Sequence, residues 1–241
     1  MWVGLLAHVG SEVIMAEGMT LKDVEFQEKL NTGTSKTNNE SFEKNGYLVV
    51  KDLWNPDELY RENTDEEGQK NYWGKKEDQF TQIPKEMQVE GSHSSYWHPQ
   101  YRSIHSRIRL KLEKIIGKKL YNTYYYDRFY YPGQALTIHA DRPACEISVS
   151  VHISDNVKER WPLWIKTPYG ENHSVKLNPG DGMLYKGCER PHWRDPLPKE
   201  YRRTWYGRKV EKEGLYYHQV FFHYVLADGV RSHFAGDSCN K

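Results

Sequence analysis

The stretch TIHADRPACEISVSVHIS, residues 137–154, decides the fold. Its second half alternates between two kinds of side chain: apolar Ile147, Val149, Val151 and Ile153 on one side, and polar Ser148, Ser150, His152 and Ser154 on the other. A period of two is typical of a β-strand with one buried apolar face and one polar face. In a barrel of strands such a polar face lines the internal cavity, so the stretch predicts a β-barrel with a polar interior.

The first half of the stretch contains His139 and Asp141, and a third candidate ligand, His192, follows later in the chain. Alternate residues of an extended chain project to the same side, so His139 and Asp141 share one face. Two imidazoles and one carboxylate can form the facial triad that holds ferrous iron and leaves its other positions open. A His-x-Asp triplet arises by chance about 0.5 times in a chain of this composition, so it needs support from its surroundings.

Two turns supply that support. Residues 131–134, Tyr-Pro-Gly-Gln, form a turn before the strand that ends at His139. Residues 178–182, Asn-Pro-Gly-Asp-Gly, form a tight turn before the strand region that leads to His192. Two adjacent strands can therefore present three ligands to one point. Because metal binding requires neutral imidazoles, we expect iron affinity to fall below about pH 6.

Composition narrows the class of protein. The chain has 241 residues and a net charge of +1, from 34 basic and 33 acidic residues. This balance predicts neither a nucleic-acid partner nor a membrane partner. Aromatic residues make up 14% of the chain, which favours a β-rich interior over a helical bundle. The three cysteines are an odd number without a Cys-x-x-Cys pair, which indicates a reducing compartment and argues against structural zinc.

The clearest predicted helix covers residues 101–119. Its apolar side chains recur at three- and four-residue steps, and Gly117 is placed to end it: the stripe is Ile104, Ile108, Leu112 and Ile115. A second helix is predicted to begin after Asn55, the cap, with Pro56 in its first turn. From Leu120 onward the period becomes that of strands. We therefore expect the helices to pack on the outside of a sheet.

This order of elements predicts a mainly β protein with flanking helices, a double-stranded β-helix or cupin-like jelly roll. We expect residues 1–40 to be a poorly ordered or weakly structured N-terminal extension, residues 41–230 a single domain and residues 231–241 a C-terminal tail. Residues 31–40 and 63–76 are predicted loops. Residues 90–100 contain histidines and aromatic side chains, which suit either ordinary packing or a lid over a substrate.

The same residues resemble the iron(II)/2-oxoglutarate-dependent dioxygenases, and within them the prolyl-4-hydroxylase-like branch in its soluble phage and bacterial form. The resemblance covers about residues 42–229. The pieces that carry it are residues 128–131, 139–148, 179–181, 187–189, 192–194 and 219–224. Each piece alone is a weak signal, but their combination and order are specific to this family.

The resemblance implies an enzyme that couples the oxidative decarboxylation of 2-oxoglutarate to the hydroxylation of a C–H bond. The substrate would be peptidyl, such as a prolyl residue, or a small molecule. His139, Asp141 and His192 would be both the metal ligands and the catalytic residues. The cofactors would be Fe(II), 2-oxoglutarate as cosubstrate and O2, and the family also allows ascorbate.

The resemblance further implies a cation for the far carboxylate of 2-oxoglutarate, on the strand after the second histidine. Here that strand, residues 215–225, contains no Arg or Lys. Arg194 lies two residues after His192, on the same side of an extended chain, and its planar guanidinium matches a carboxylate. We expect Arg194, rather than Arg202 or Arg203, to bind this group. Neutral partners of the cosubstrate are expected at four cavity-facing positions: Tyr131, Ser148, His152 and Gln219.

Two other functions fit parts of the pattern. A cupin-like metal-dependent isomerase or hydrolase would use the same barrel without 2-oxoglutarate and usually has more histidine ligands, for which His152 is a candidate. A non-enzymatic jelly-roll module would bind sugar or peptide through its aromatic side chains, but it leaves the triad unexplained. We expect the protein to be cytoplasmic, in the host cytoplasm if it comes from a phage.

Overall fold

The computed structural model describes residues 35–58 and 88–237. Within them the chain forms helix α1 (Ser35–Asn45) and helix α2 (Tyr101–Ile116). The strands are β1 (Tyr47–Val50), β2 (His93–Tyr96), β3 (Leu120–Tyr130), β4 (Leu136–His139), β5 (Ile147–Asp155), β6 (Leu163–Lys166), β7 (Asn172–Val175), β8 (Gly182–Tyr185), β9 (His192–Arg194), β10 (Tyr201–Arg203), β11 (Lys209–Glu211) and β12 (Tyr217–Leu226). Short 3-10 turns occupy Pro143–Cys145 and Ser232–Phe234.

The strands build two antiparallel sheets and a separate hairpin. The larger sheet has the order β1-β8-β5-β12-β3-β2, and the smaller sheet has the order β4-β9-β6-β7. Apolar side chains of β6 and β7 pack against those of β8, so the two sheets face each other. Strands β10 and β11 pair only with each other. This arrangement confirms the predicted double-stranded β-helix.

The larger sheet has an apolar outer face and a polar inner face. On the outside, Val149 and Val151 of β5 pack with Val220 and Phe222 of β12 against the apolar stripe of α2. The predicted stripe residues Ile104, Ile108, Leu112 and Ile115 are each no more than 1% exposed. On the inside, the alternate residues of β5 are buried polar groups: Ser148, Ser150 and His152. The alternation in the sequence therefore describes the sheet correctly.

Helix α2 ends at Ile116, three residues before the predicted limit of residue 119, and Gly117 caps it as predicted. Gly117 has the left-handed backbone angle φ 66°, and its N–H donates to the carbonyl of Glu113 at 2.8 Å. Glycine reaches this conformation without strain, which is why it ends helices. At the second predicted helix, the side chain of Asn55 accepts a hydrogen bond from the N–H of Asp57 at 3.2 Å, as a cap does. The continuation of that helix lies outside the described residues.

Three segments differ from prediction or go beyond it. Helix α1 occupies residues 35–45, so the predicted loop at 31–40 was wrong for its second half; Phe42, 1% exposed, anchors this polar helix in the core. Part of residues 90–100 forms the edge strand β2. Residues 231–237 fold back onto the domain, where Asp237 forms an ion pair of 2.6 Å with Arg142. The predicted loop at 63–76 lies outside the described residues.

In the described part of the chain, no helix combines the length and apolar character that crossing a bilayer requires.

The burial of the α2 stripe generates a stability prediction. Leu112→Ala should lower the free energy of unfolding by about 2–5 kcal/mol, because it removes buried methyl groups and leaves a cavity. Leu110 lies on the same helix but is only partly buried, so Leu110→Ala should cost about 1 kcal/mol or less. Urea denaturation of both variants would measure the difference in free energy of unfolding. The dependence of that free energy on urea concentration should be the same in both variants. Equal losses would mean that α2 does not pack on the sheet as described.

Candidate metal centre

Pairing between two short strands of the smaller sheet brings the predicted triad together. Strand β4 pairs with β9 so that His139 and His192 are direct register partners. Asp141 follows β4, and its N–H donates to the carbonyl of Gly187 at 2.9 Å. Its Oδ1 lies 3.5 Å from the Nε2 atom of each histidine. Neighbouring ligands of a metal with bonds of about 2.1 Å lie about 3 Å apart, so the donor set fits one ion.

The outer nitrogen of each imidazole fixes its tautomer. Nδ1 of His139 bonds to the carbonyl of Thr137 at 2.8 Å, and Nδ1 of His192 bonds to the carbonyl of Arg190 at 3.0 Å. A carbonyl oxygen can only accept, so we assign the proton of each neutral ring to Nδ1. Each Nε2 then carries the lone pair with which a histidine binds a metal. Metal-binding histidines are usually held in this way.

The three groups have different proton affinities. Burial lowers the pKa of His192 and outweighs the attraction of Asp141. In His139 burial also acts to lower the pKa, but the hydrogen bonds with Asp141 and Thr137 raise it overall. Burial acts to raise the pKa of Asp141, but the neighbouring histidines bring it down to about 2. The carboxylate is therefore ionised at neutral pH, and protons compete with a metal first at His139.

A chain of hydrogen bonds behind Asp141 holds the carboxylate in place. The hydroxyl of Ser148 donates to Oδ2 of Asp141 at 3.1 Å. Nδ1 of His223 lies 2.8 Å from the same hydroxyl and is placed to donate to it. A side chain on Gly187 would lie 2.6 Å from Asp141 Oδ2 and 2.7 Å from the Ser148 hydroxyl, and it would also collide with the carbonyl of Cys145. This loop therefore admits only glycine at position 187.

A second possible ligand group shares Asp141 and adds Cys145 and His223. It is the weaker candidate because metal-binding cysteine must be a thiolate. Burial raises the pKa of the Cys145 thiol well above its usual range. The thiol of Cys145 also forms a hydrogen bond with the hydroxyl of Tyr124, at 3.2 Å. The group of His139, Asp141 and His192 is the better metal site.

Solved structures with the same architecture are non-haem oxygenases. The alpha-ketoglutarate-dependent epimerase SnoN from nogalamycin biosynthesis superimposes with a TM-score of 0.59 at 11% identity, covering 80% of this chain and 83% of that chain. The prolyl hydroxylase from Trichoplax adhaerens, solved with a peptide fragment of the hypoxia-inducible factor oxygen degradation domain, gives 0.57 at 10% identity, covering 86% and 94%. HygX from Streptomyces hygroscopicus, solved with nickel and 2-oxoglutarate, gives 0.54 at 11% identity, covering 80% and 87%.

The chain has the fold of the iron(II)/2-oxoglutarate oxygenases. This confirms the resemblance seen in the sequence at the level of the fold. No protein-family model matches the sequence, and no curated protein matches it. One fold supports many reactions, so the reaction depends on the side chains at the site and not on the fold alone.

Arg194 is the most unusual of the predicted cosubstrate residues. It is 2% exposed, and Nη1 donates to the carbonyl of Trp161 at 2.7 Å. The guanidinium carbon lies 4.4 Å from the ring centre of Trp161 and 5.0 Å from that of Tyr217. Nε and Nη2 make no hydrogen bond of good geometry. A buried cation with two nitrogen atoms that lack hydrogen-bond partners can bind an anion.

The other four predicted cosubstrate residues fall into two groups. Gln219 is fully buried, donates to the hydroxyl of Ser150 at 3.0 Å and has no partner for its own oxygen, so it remains available. Ser148 is occupied by Asp141 and His223, as described above. His152 uses both ring nitrogens, on the carbonyl of His218 at 3.2 Å and on the carboxylate of Asp155 at 2.7 Å. These contacts already occupy the hydroxyl of Ser148 and both ring nitrogens of His152.

Tyr131, the fourth predicted residue, is half-buried beyond the end of β3, whereas its neighbour Tyr130 is fully buried. The hydroxyl of Tyr130 accepts from Arg128 at 3.2 Å, and Arg128 also donates to the side chain of Gln88 at 3.0 Å. The amide of Gln88 in turn lies 2.8 Å from Nε2 of His139. Tyr130, Arg128 and Gln88 were not among the predicted site residues. The alternation along β3 was the signal that places Tyr130 inside.

The hydrogen bond from Ser148 to Asp141 generates a prediction about metal affinity. Ser148→Ala should weaken ferrous iron binding by about 10–100-fold, because groups that orient a ligand typically contribute this much. Ser150→Ala is the matched control: it makes the same change one step along the same face, without a contact to the triad. Anaerobic titration of both variants with ferrous iron would measure the effect. Full affinity in Ser148→Ala would show that Asp141 does not depend on this bond.

Proposed function

We propose that the protein is an iron(II)- and 2-oxoglutarate-dependent dioxygenase that hydroxylates a C–H bond. The observation that carries the proposal is Arg194, a buried cation on the same short strand as the candidate ligand His192. Among the residues that the structure describes, no acidic side chain forms an ion pair with Arg194. Burying a charge without a counter-charge is costly. An anion that binds during function would supply the missing partner.

The spacing of the two groups defines what that anion must be. Arg194 lies two residues beyond His192, and alternate residues of a strand are about 7 Å apart and on one face. A molecule that joins them needs a metal-chelating end and a carboxylate at the other end. 2-Oxoglutarate has both, since its keto acid end chelates iron. Gln219 and Tyr130 are proposed as its neutral partners.

Each part of the site then has a task. When bound, iron and 2-oxoglutarate supply the oxidising chemistry, in which O2 and the cosubstrate are converted with release of carbon dioxide and succinate. His139, Asp141 and His192 are the ligands that would hold the iron. Arg194 would orient the cosubstrate, while the rings of Trp161 and Tyr217 beside it keep water away from the ion pair.

The substrate is proposed only as a class: a peptide, such as a prolyl peptide, or a small molecule. The peptide in the Trichoplax adhaerens structure supports the first and the epimerase SnoN the second, so the fold does not choose between them. Ascorbate is proposed as an accessory reductant. The predicted cytoplasmic location stays a prediction; of the cysteines, Cys145 and Cys188 are free in the structure, which is consistent with a reducing compartment.

The cupin-like isomerase or hydrolase is the weaker alternative. It was favoured by a third histidine, His152, as a possible additional ligand, but both ring nitrogens of His152 already bond within the protein. It also gives no reason for the buried Arg194. A metal-free binding module leaves both Arg194 and the triad without a purpose.

The function is tested by adding 2-oxoglutarate to the ferrous protein without oxygen. The chelate should give a weak visible charge-transfer band, and admission of oxygen should produce succinate slowly even without a prime substrate. Iron binding without either signal would contradict the proposal and favour the cupin-like alternative. Loss of iron binding in a His139→Ala/His192→Ala double variant is the control that the metal occupies the triad.

The role of Arg194 gives the sharpest prediction. Arg194→Ala should weaken 2-oxoglutarate binding by about 10²–10³-fold, because a buried carboxylate that loses its cation typically costs about 3–5 kcal/mol. Iron affinity should stay nearly unchanged. Arg202→Ala is the matched control, since Arg202 is exposed on the β10–β11 hairpin. Titration of the charge-transfer band would compare them. An unchanged affinity in Arg194→Ala, with loss in Arg202→Ala, would move the carboxylate site to the hairpin.

A further inference from the structure

The β10–β11 hairpin exposes large aromatic side chains that most proteins bury. Trp205 at its tip is 96% exposed, Tyr206 is 60% exposed and Tyr201 in the stem is 50% exposed. The rings of Trp205 and Tyr206 are 5.3 Å apart and nearly perpendicular, at 88°. Each ring therefore presents a separate flat face. Single exposed apolar residues are common, but three aromatic rings on one short hairpin indicate a binding surface.

The hairpin is well formed. The N–H of Thr204 donates to the carbonyl of Arg208 at 2.8 Å, and the N–H of Arg208 donates back to the hydroxyl of Thr204 at 3.0 Å. Gly207 takes the left-handed φ of 84° that closes the turn, and Arg203 donates to its carbonyl at 3.3 Å. The turn thus holds the two tip rings in place, which lowers the entropy lost on binding.

The same nine residues, 201–209, concentrate positive charge. They contain four cations and no acidic residue: Arg202, Arg203, Arg208 and Lys209. The acidic residues that flank them are already paired, Glu211 with Lys199 at 3.1 Å and Glu200 with Lys212 at 3.3 Å. In residues 35–58 and 88–237, no carboxylate forms an ion pair with any of the four cations. The net charge of +1 for the whole chain conceals this cluster.

We propose that the β10–β11 hairpin, residues 201–209, binds single-stranded nucleic acid. Its four cations match a phosphate backbone, and Trp205 and Tyr206 offer flat faces on which unpaired bases stack. Cations interleaved with exposed rings are the combination that single strands require. A duplex uses its bases in its own stack and would leave the rings without partners.

Other anionic partners fit less well. An acidic peptide would neutralise the cations but has no use for a Trp that is almost wholly exposed. A membrane surface would accept the rings, but stable binding needs a broader apolar face than a two-residue tip provides. Single-stranded nucleic acid uses both features at once.

The segment that leads into the hairpin contacts the turn that precedes β4. The N–H of Leu197 donates to the carbonyl of Gln134 at 2.8 Å, and the side chain of Gln134 donates to the carbonyl of Glu90 at 3.1 Å. Gln88, two residues earlier, contacts His139. The binding itself does not depend on the proposed oxygenase activity.

The test is fluorescence anisotropy with a labelled oligothymidylate 20-mer at low salt. Wild-type protein should bind it, and the logarithm of affinity should fall against the logarithm of salt with a slope of about −3, as expected for four cations on a single strand. Trp205→Ala/Tyr206→Ala should weaken binding at least about fivefold through lost stacking. Arg202→Glu/Arg208→Glu should weaken it and make the slope shallower by at least about 1.

Two matched controls separate the hairpin from general effects. Lys166→Glu/Lys176→Glu changes the net charge by the same amount at two exposed lysines elsewhere, and it should keep most of the binding. Tyr169, 66% exposed outside the hairpin, provides the aromatic control as Tyr169→Ala. All variants should unfold at the wild-type temperature, because none of the altered side chains is buried.

Several results would overturn the proposal. These are no binding of the 20-mer by wild-type protein, equal binding by Trp205→Ala/Tyr206→Ala, or an equal loss in Lys166→Glu/Lys176→Glu. Competition by polyglutamate at the same charge concentration would point to an acidic protein as partner. Tighter binding to phosphatidylserine vesicles than to the 20-mer would point to a membrane. Each of these readouts is independent of iron, 2-oxoglutarate and turnover.

Discussion

The pairing of β4 with β9 is the constraint on which the site depends. Its register sets His139 opposite His192, and a slip of one residue would turn every side chain of one strand to the other face. Both strands are short, so their own hydrogen bonds hold the register weakly. The register is reinforced from behind, where the N–H of Asp141 bonds to the carbonyl of Gly187. His139 and His192 thus lie on paired strands, and Asp141, the third candidate ligand, is held beside them by one backbone hydrogen bond.

The interior that faces this pair is polar in a way that stability alone would not favour. Buried donors and acceptors without partners include Arg194 Nε and Nη2, Gln219 Oε1 and His223 Nε2. An unsatisfied buried polar group typically costs about 1–3 kcal/mol. Such groups persist where a ligand completes them during function. The apolar outer face of the larger sheet, packed on α2, provides the stability that allows this interior.

Much of this arrangement was predictable from local patterns. The period of two in β5, the stripe of α2 and the shared side of His192 and Arg194 all depend on residues close in sequence. What was not predictable depends on partners far along the chain. The hydroxyl of Ser148 forms a hydrogen bond with His223, and His152 forms one with the backbone of His218. The alternation therefore predicted the face on which each side chain lies but not its hydrogen-bond partner.

One other error has a local cause. Helix α1 was missed because its sequence is polar, and Phe42 is the only buried side chain among its residues 38–45.

The contact between Gln88 and His139 has a consequence for how the site is filled. Nε2 of His139 has one lone pair, and it cannot accept a hydrogen bond from an amide and coordinate an ion together. A metal at His139 and this hydrogen bond are therefore mutually exclusive. The hydrogen bond lowers the affinity for a metal, and a bound metal disfavours the hydrogen bond by the same free energy. Since Gln88 also receives a hydrogen bond from Arg128, metal binding at the candidate centre would be coupled to the positions of Gln88 and Arg128. The fraction of protein with metal bound and the fraction with Gln88 in contact with His139 would therefore change together, in opposite directions.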